Sequence, residues 1–250
     1  MKRCPLAFML SLSLSLGLAM VPLSKTQAQS SSTTNDQILL PLNSITFEPP
    51  GDGKPADTAG GASRGMGCVS RQIPTSCVTA LMPATQSGLT LAERPTFFVY
   101  IPEGSGKQAF FSLTDSEGNY QYQSKIPLKE TGVIISFKLP DDAPALEVGK
   151  SYNWAFIVAG VQGIQPDSPG VTGEIKRIAA TTELNNQLQN AKTPVEVAAV
   201  YGKAGLWFDM MMVLAEQKRL DPANEALTDA WDKLLTTEGV DATVASKPLL

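Results

Sequence analysis

A glycine-rich stretch at residues 60–68, GGASRGMGC, contains residue types that could perform hydrolysis. Gly61, Ser63 and Gly65 fit the G-x-S-x-G pattern, in which a strand and a helix hold a nucleophilic serine in a sharp turn. That chemistry needs a general base, normally histidine, and the chain contains no histidine. We therefore interpret the stretch as a turn in which Arg64 has a structural role, pairing with a carboxylate or with backbone carbonyls.

Two groups of acidic residues suggest other chemistry. Asp115, Glu117 and Asn119 could offer oxygen ligands to calcium. The same residue types form hairpin turns, which is the favoured interpretation. Asp141 and Asp142 could be half of a glycosidase carboxylate pair or could lie in a solvated loop. The residues thus predict no catalytic, cofactor or metal site and favour a non-enzymatic protein, with a carboxylate-based hydrolase as one alternative.

The first 28 residues have the organisation of a signal peptide. Lys2 and Arg3 precede an apolar run from Leu6 to Leu23, and small residues end the segment at Ala28. The run is also just long enough for an uncleaved membrane anchor, but its serines and Pro22 favour cleavage. The pattern predicts export to the periplasm or the outside of the cell, with no membrane span after cleavage.

The net charge of the chain limits the classes of molecule that the protein can bind. The net charge is −4, and removal of residues 1–28, which carry three basic and no acidic residues, changes it to −7. An acidic protein binds nucleic acid poorly.

Two cysteines remain after cleavage, Cys68 and Cys77, and an oxidising compartment favours a disulfide between them, although two free thiols remain the alternative.

Residues 29–75 are rich in Ser, Thr, Gly and Pro and predict a flexible lead-in. From residue 76 to 179 apolar and polar residues alternate in short runs separated by turns, which predicts a β-sandwich of seven strands. Their expected positions are residues 78–82, 96–101, 109–114, 120–124, 133–139, 152–158 and 171–178.

Residues 146–154 resemble the segment that leads into the penultimate strand of fibronectin type III and related immunoglobulin-like domains. In those domains a tyrosine at the corner hydrogen-bonds back to the backbone. The resemblance assigns this structural role to Tyr152 and implies an immunoglobulin or fibronectin-III-like sandwich. Trp154, which alternates with Tyr152 in the same predicted strand, is also predicted to be structural.

Residues 180–250 show helical periodicity. Tyr201, Gly205, Trp207 and Pro222 have the separations of a tetratricopeptide repeat (TPR), which predicts a TPR-like hairpin at about residues 194–203 and 206–219. A further helix is expected at residues 223–236. The predicted fold is therefore mostly β with a small α part.

Aromatic residues supply the candidates for binding. Tyr120 and Tyr122 alternate with glutamines on a predicted edge strand, and Trp207 and Phe208 lie on the helical hairpin. These four define a possible interaction surface. The leading hypothesis is a scaffold or assembly protein that binds an envelope or secreted protein, and the alternative is a carbohydrate-binding module that binds polysaccharide.

Four stretches occur in one order: residues 60–65 with Cys68, then 95–102, 146–156 and 201–216. Together they resemble a secreted cyanobacterial family, the domain of unknown function DUF928, over most of the chain after about residue 50. Residues 159–170 and 173–175 depart from the family pattern, which often has Cys and Asp in the first segment and Trp in the second. The resemblance implies a secreted protein and supplies no catalytic residue.

Overall fold

Within the part of the chain that the structure describes, strands come first and helices last, in the order that the change of periodicity predicts. A computed structural model describes residues 45–51 and 74–250, all within one unit, Asn35–Leu250. After a short 3-10 turn at Pro74–Ser76 there are eight strands: β1 Thr79–Ala80, β2 Ser87–Thr90, β3 Thr96–Ile101, β4 Gln108–Asp115, β5 Tyr120–Pro127, β6 Val133–Lys138, β7 Ser151–Ala159 and β8 Gly170–Arg177.

Five helices follow: α1 Thr182–Asn190, α2 Pro194–Lys203, α3 Trp207–Leu220, α4 Glu225–Thr237 and α5 Ala242–Ala245. Side-chain caps explain where several begin, because Thr181, Thr193 and Asn224 each accept a hydrogen bond from a backbone N–H in the first turn. The helices contribute nearly as many residues as the strands. The fold is therefore mixed, which corrects the expectation of a mostly β protein. Strand β2 and helices α1 and α5 were not predicted.

The strands form two sheets. One has three strands in the order β1-β3-β6, and the other has five in the order β2-β8-β7-β4-β5. All neighbours are antiparallel except β2 and β8, which are parallel. The inner faces of the sheets meet through aromatic rings: Phe97 of β3 lies 4.9 Å from Phe111 of β4 and 5.2 Å from Trp154 of β7.

The small sheet is covered on both sides. In β3 every residue from Phe97 to Ile101 is buried. Because strand residues alternate between faces, the side chains of Phe97 and Phe98 lie on opposite faces of the small sheet. The ring of Phe98 meets Trp231 of α4, with centroids 6.4 Å apart. Helix α4 thus covers the face of the small sheet that points away from the five-stranded sheet.

Helix α3 approaches the sandwich at Gly88 of β2. A Cβ at Gly88 would lie 2.9 Å from Cβ of Trp207 and 3.1 Å from the ring of Phe208, so only glycine allows this approach. The indole N–H of Trp207 donates to the carbonyl of Leu81 at 2.9 Å. Burying both rings against β2 removes a large apolar area from water, which is the main force that holds helix and sheet together.

Residues 45–51 pack against the helices, which corrects the assignment of this part of the chain to the flexible lead-in. Ile45 and Phe47 are buried, and the ring of Phe47 meets Trp207 edge-on with centroids 4.9 Å apart. The backbone N–H of Glu48 donates to the carbonyl of Gly202 in α2 at 3.0 Å. This extended segment therefore occupies part of the surface of the α2–α3 hairpin.

The C-terminal residues shield the edge of β6. Ile134 forms a parallel bridge with Leu249, and its N–H donates to the carbonyl of Pro248 at 2.7 Å. Arg219 of α3 hydrogen-bonds both Ser136 and the carbonyl of Leu250. Covering an edge in this way removes a template for pairing with other chains.

Across residues 45–51 and 74–250, no helix combines the length and the apolar character that crossing a membrane requires.

The contact between residues 45–51 and α2 can be tested by adding one methyl group. Replacing glycine by alanine within a helix normally stabilises it by about 0.5–1 kcal/mol. In Gly202→Ala, however, the new Cβ would lie 2.2 Å from the carbonyl oxygen of Thr46. We expect the segment to detach more often, so that hydrogen exchange of the Glu48 amide speeds up by about tenfold or more.

Gly51→Ala is the matched control, because its Cβ meets no atom within 4 Å and the residue lies in the same segment. Unchanged exchange at Glu48 in Gly202→Ala would show that the close approach does not hold the segment in place.

Candidate binding surface

The five-stranded sheet has one face toward the core and one face away from it. The strand register brings the outward-pointing residues of β8, β7, β4 and β5 into three rows. We call these twelve residues the outward face: Glu174, Asn153, Thr114 and Tyr120; Thr172, Ala155, Ser112 and Gln123; Gly170, Ile157, Phe110 and Lys125. None of the twelve is buried. With three strand spacings across and four residues along, the face measures about 14 Å by 14 Å.

The middle of the outward face is polar and uncharged. Asn153, Thr172 and Gln123 are exposed. Among the described residues, the side-chain amides of Asn153 and Gln123 make no hydrogen bond with the protein. These amides each offer donors and an acceptor, so they are available to a ligand.

Charge on the outward face is balanced and peripheral. Glu174 and Lys125 lie at diagonally opposite corners of the three rows. The Lys125 ammonium is 5.6 Å from the centroid of the Phe110 ring, a distance at which a cation is attracted to the ring face. These twelve residues therefore carry no net charge, and Lys176, which lies beside Glu174 on the same side of β8 and pairs with Ser151, adds one positive charge outside the three rows.

Tyr120 and Tyr122 lie on opposite sides of the sheet. The register between β4 and β5 shifts at Leu113 and Thr114, so that Tyr120 pairs with Thr114 while Tyr122 pairs with Leu113. Tyr120 is 66% exposed at the corner of the outward face. Tyr122 is half-buried and packs against the core. A β-bulge at Gln121 thus separates two residues that simple alternation would place on one face.

Trp207 and Phe208 are buried, with 1% and 3% exposure. This corrects the expectation that they contribute to an interaction surface. The correction has a physical reason: α3 carries apolar residues around most of its circumference, so its first turn must be enclosed. Tyr201, from the same hairpin, is half-buried.

Tyr152 lies at the start of β7, and Trp154 lies two residues further along the same strand. The Tyr152 hydroxyl accepts a hydrogen bond from the N–H of Glu147 at 3.0 Å, five residues upstream. Trp154 is 2% exposed, and its ring lies so close to Gly173 that a Cβ there would be 2.8 Å away.

Other predicted residues fall outside the described part of the chain. Ser63, Arg64 and Cys68 are among residues 52–73, so the turn around Arg64 and the pairing of Cys68 with Cys77 stay predictions. Cys77 itself is half-buried beside the start of the small sheet.

The acidic groups of the loops have structural partners. The Asp115 carboxylate accepts hydrogen bonds from the N–H groups of Glu117 and Asn119, both at 2.9 Å, and from two side-chain amides. These bonds lower the pKa of Asp115, the one with the Asn119 side chain most strongly. Asp141 lies in an exposed loop whose carbonyls bind Arg94. Within the described ranges, no three His, Cys, Asp or Glu residues converge to hold a metal ion.

Asp209 was not predicted, yet it is the one buried charged side chain among the described residues. It lies in the first turn of α3 and accepts a hydrogen bond from the N–H of Leu91 at 3.1 Å and one from the hydroxyl of Thr90. Burial raises its pKa, and the two hydrogen bonds partly oppose this effect. Thr90 is the last residue of β2 and Leu91 begins the following loop, so the hydrogen bonds of Asp209 connect α3 to the sandwich.

The placement of the two tyrosines predicts opposite effects of truncation. We expect Tyr120→Ala to change the free energy of unfolding by less than about 0.5 kcal/mol, because the ring is mostly in water. Tyr122→Ala should cost about 1–3 kcal/mol through lost packing. Denaturant unfolding of both variants checks this. Equal losses would mean that the bulge does not separate the two rings.

Asp209 predicts a pH dependence of stability. Its pKa is raised in the folded state above the usual 3.8, so the folded protein holds this proton more tightly than the unfolded chain does. The wild type should therefore lose stability relative to Asp209→Asn as the pH rises from about 3.8 through the folded-state pKa. Asparagine keeps an acceptor for Leu91 and a partner for Thr90 without titrating.

Unfolding of both proteins between pH 3 and 8 measures this difference, and Asp209→Ala is the matched control. It leaves the Leu91 N–H without a partner and, because neither variant titrates at this position, should be about 1–3 kcal/mol less stable than Asp209→Asn at every pH. A stability difference between wild type and Asp209→Asn that does not change with pH contradicts the assignment.

Comparison with known proteins agrees with the order of motifs in the chain. No curated protein matches the sequence. The sequence profile of the family described as Domain of Unknown Function (DUF928) matches residues 59–249, which include all eight strands and all five helices. The chain belongs to the DUF928 family.

Proposed function

We propose that the protein is an exported, non-enzymatic binding protein of the periplasm or cell exterior, which holds an envelope component against the outward face. The observation that carries the proposal is that none of the described residues covers this face and that two of its side-chain amides have no hydrogen-bond partner among them. The basic and apolar pattern of residues 1–28 supports export.

The fold supports a binding role. We propose that the sandwich is immunoglobulin-like, because β1-β3-β6 matches the A-B-E strands of that fold and β8-β7-β4-β5 matches G-F-C-C′. The Tyr152 hydrogen bond at the start of β7 supports the same assignment. Sandwiches of this kind often serve as binding modules, although a fold alone does not define a ligand.

The α2–α3 hairpin supports the sandwich rather than forming a second site. We propose that it is TPR-like, since Gly205 with its positive φ of 71° and Trp207 lie where two helices meet closely. A stacked hairpin of this type can bind an extended peptide. Here residues 45–51 already occupy part of that surface, with Phe47 on Trp207. This occupation favours the sheet over the hairpin as the place for a partner.

The test compares binding of the chain from residue 29 to isolated cell envelopes. Ser112 lies in the middle row of the outward face, so Ser112→Arg places a large charged side chain at its centre. We expect saturable binding by the wild type and a loss of about tenfold or more in affinity for Ser112→Arg.

Asn186→Arg is the matched control, because it adds the same side chain at an exposed position on α1 and should bind as the wild type does. Equal binding by Ser112→Arg and wild type would remove the role of the outward face. No binding of the wild type would contradict the proposed function itself.

A further inference from the structure

The chemistry of the outward face narrows the ligand, on the assumption that this face is the binding surface as proposed above. We infer that the ligand is a neutral polysaccharide chain, bound across β5, β4 and β7 with a sugar ring stacked on Tyr120 and its hydroxyl groups bound by Asn153 and Gln123.

The side chains at the centre of the face match sugar hydroxyls. In the middle row Ser112 and Gln123 are neighbours, Thr172 lies at the other end beyond Ala155, and Asn153 lies in the next row. Hydroxyl and amide groups both donate and accept hydrogen bonds, as sugar hydroxyls do. Since the amides of Asn153 and Gln123 have no protein partner among the described residues, a ligand needs to displace only water.

Tyr120 supplies the apolar part of the site. Its ring is 66% exposed at the end of the row that contains Asn153 and Thr114. An aromatic ring with a polar tip is suited to a surface that is half apolar and half wet, such as the face of a pyranose. Asn153 and Tyr120 lie two strands apart, a distance of about 10 Å, so a chain rather than a single sugar can contact both.

Charge favours a neutral polymer over an anionic one. The two charged residues of the face, Glu174 and Lys125, have opposite signs and lie at opposite corners. The protein as a whole has a net charge of −4. An anionic polysaccharide would therefore meet a repulsive field without a compensating basic patch.

A protein partner is a weaker fit for the same surface. The core of a protein interface is depleted in charged residues and in serine and alanine, and it is enriched in aromatic residues, methionine and arginine. On the outward face, Phe110 and Ile157 form one half-buried pair in a single row, and the central row contains only Ala155 as an apolar side chain.

The experiment is native electrophoresis of the chain from residue 29 through gels that contain a dissolved polysaccharide. The probes are hydroxyethylcellulose, soluble starch, galactomannan and the protein-free neutral polysaccharide fraction of the source envelope, with dextran sulfate as the anionic comparison. We expect at least one neutral probe to retard the wild type and dextran sulfate to have no effect.

The variants locate the site. Tyr120→Ala and Asn153→Ala should each weaken retardation by about tenfold, while Tyr120→Phe, which keeps the ring, should retain most of it. Leu220→Ala is the matched control, because it removes an exposed large side chain, 78% exposed, at the end of α3. Retardation that survives both Tyr120→Ala and Asn153→Ala would overturn the assignment of these residues.

The outcomes separate this inference from the proposed function. If no neutral probe retards the wild type while envelope binding remains sensitive to Ser112→Arg, the ligand is not a neutral polysaccharide but the outward face still binds. Loss of that envelope binding after protease treatment of the envelope would identify a protein partner instead. If the wild type binds neither envelope nor polysaccharide, both proposals fail.

Discussion

The arrangement of the two sheets and helix α3 depends on the contacts of the Phe97 ring. It belongs to the small sheet, touches Phe111 and Trp154 of the large sheet, and lies 5.5 Å from Phe208 of α3. One side chain thus joins two sheets and a helix, and it is 1% exposed. Because aromatic pairs at these distances add specific geometry to the burial of apolar area, Phe97 also sets how the three layers are oriented.

Because the helices cover the outer face of the small sheet, that face is not accessible to a binding partner. The helices bury the outer side of β3, and residues 45–51 fill part of the hairpin that provides this cover. The edge strands are also protected from pairing with other chains. Strand β5 contains a bulge, Lys125 and a terminal Pro127, and the C-terminal residues pair with β6. In the part of the chain that the structure describes, nothing covers the outward face of the large sheet. The helical part of the chain is thus a support that leaves one sheet face for contact with other molecules.

Patterns in the sequence predict the features of the structure that depend on interactions between residues close together in the chain. The alternation of apolar and polar residues in the strands could be read from the sequence because it depends on neighbouring residues, whereas the corner role of Tyr152 in an immunoglobulin-like fold stays a prediction. Strand β2 was not, since Ser87–Thr90 is short, contains Gly88 and pairs in parallel with a strand almost ninety residues later. Tyr120 and Tyr122 lie on opposite faces of the sheet because of a bulge, and no residue type in this stretch predicts that bulge. The burial of Trp207 was missed because an apolar helix face does not identify what covers it.

The burial of β3 on both sides has a consequence for the order in which the protein is made. Residues 96–101 leave the ribosome well before residues 182–250, which supply the helices. Until those residues emerge, Phe98 and Tyr100 have no helical layer against them. A nascent chain therefore exposes an apolar sheet surface for the time needed to deliver its last third, and such surfaces attract chaperones or aggregate. The native state is reached only when the end of the chain closes over a sheet formed from its middle.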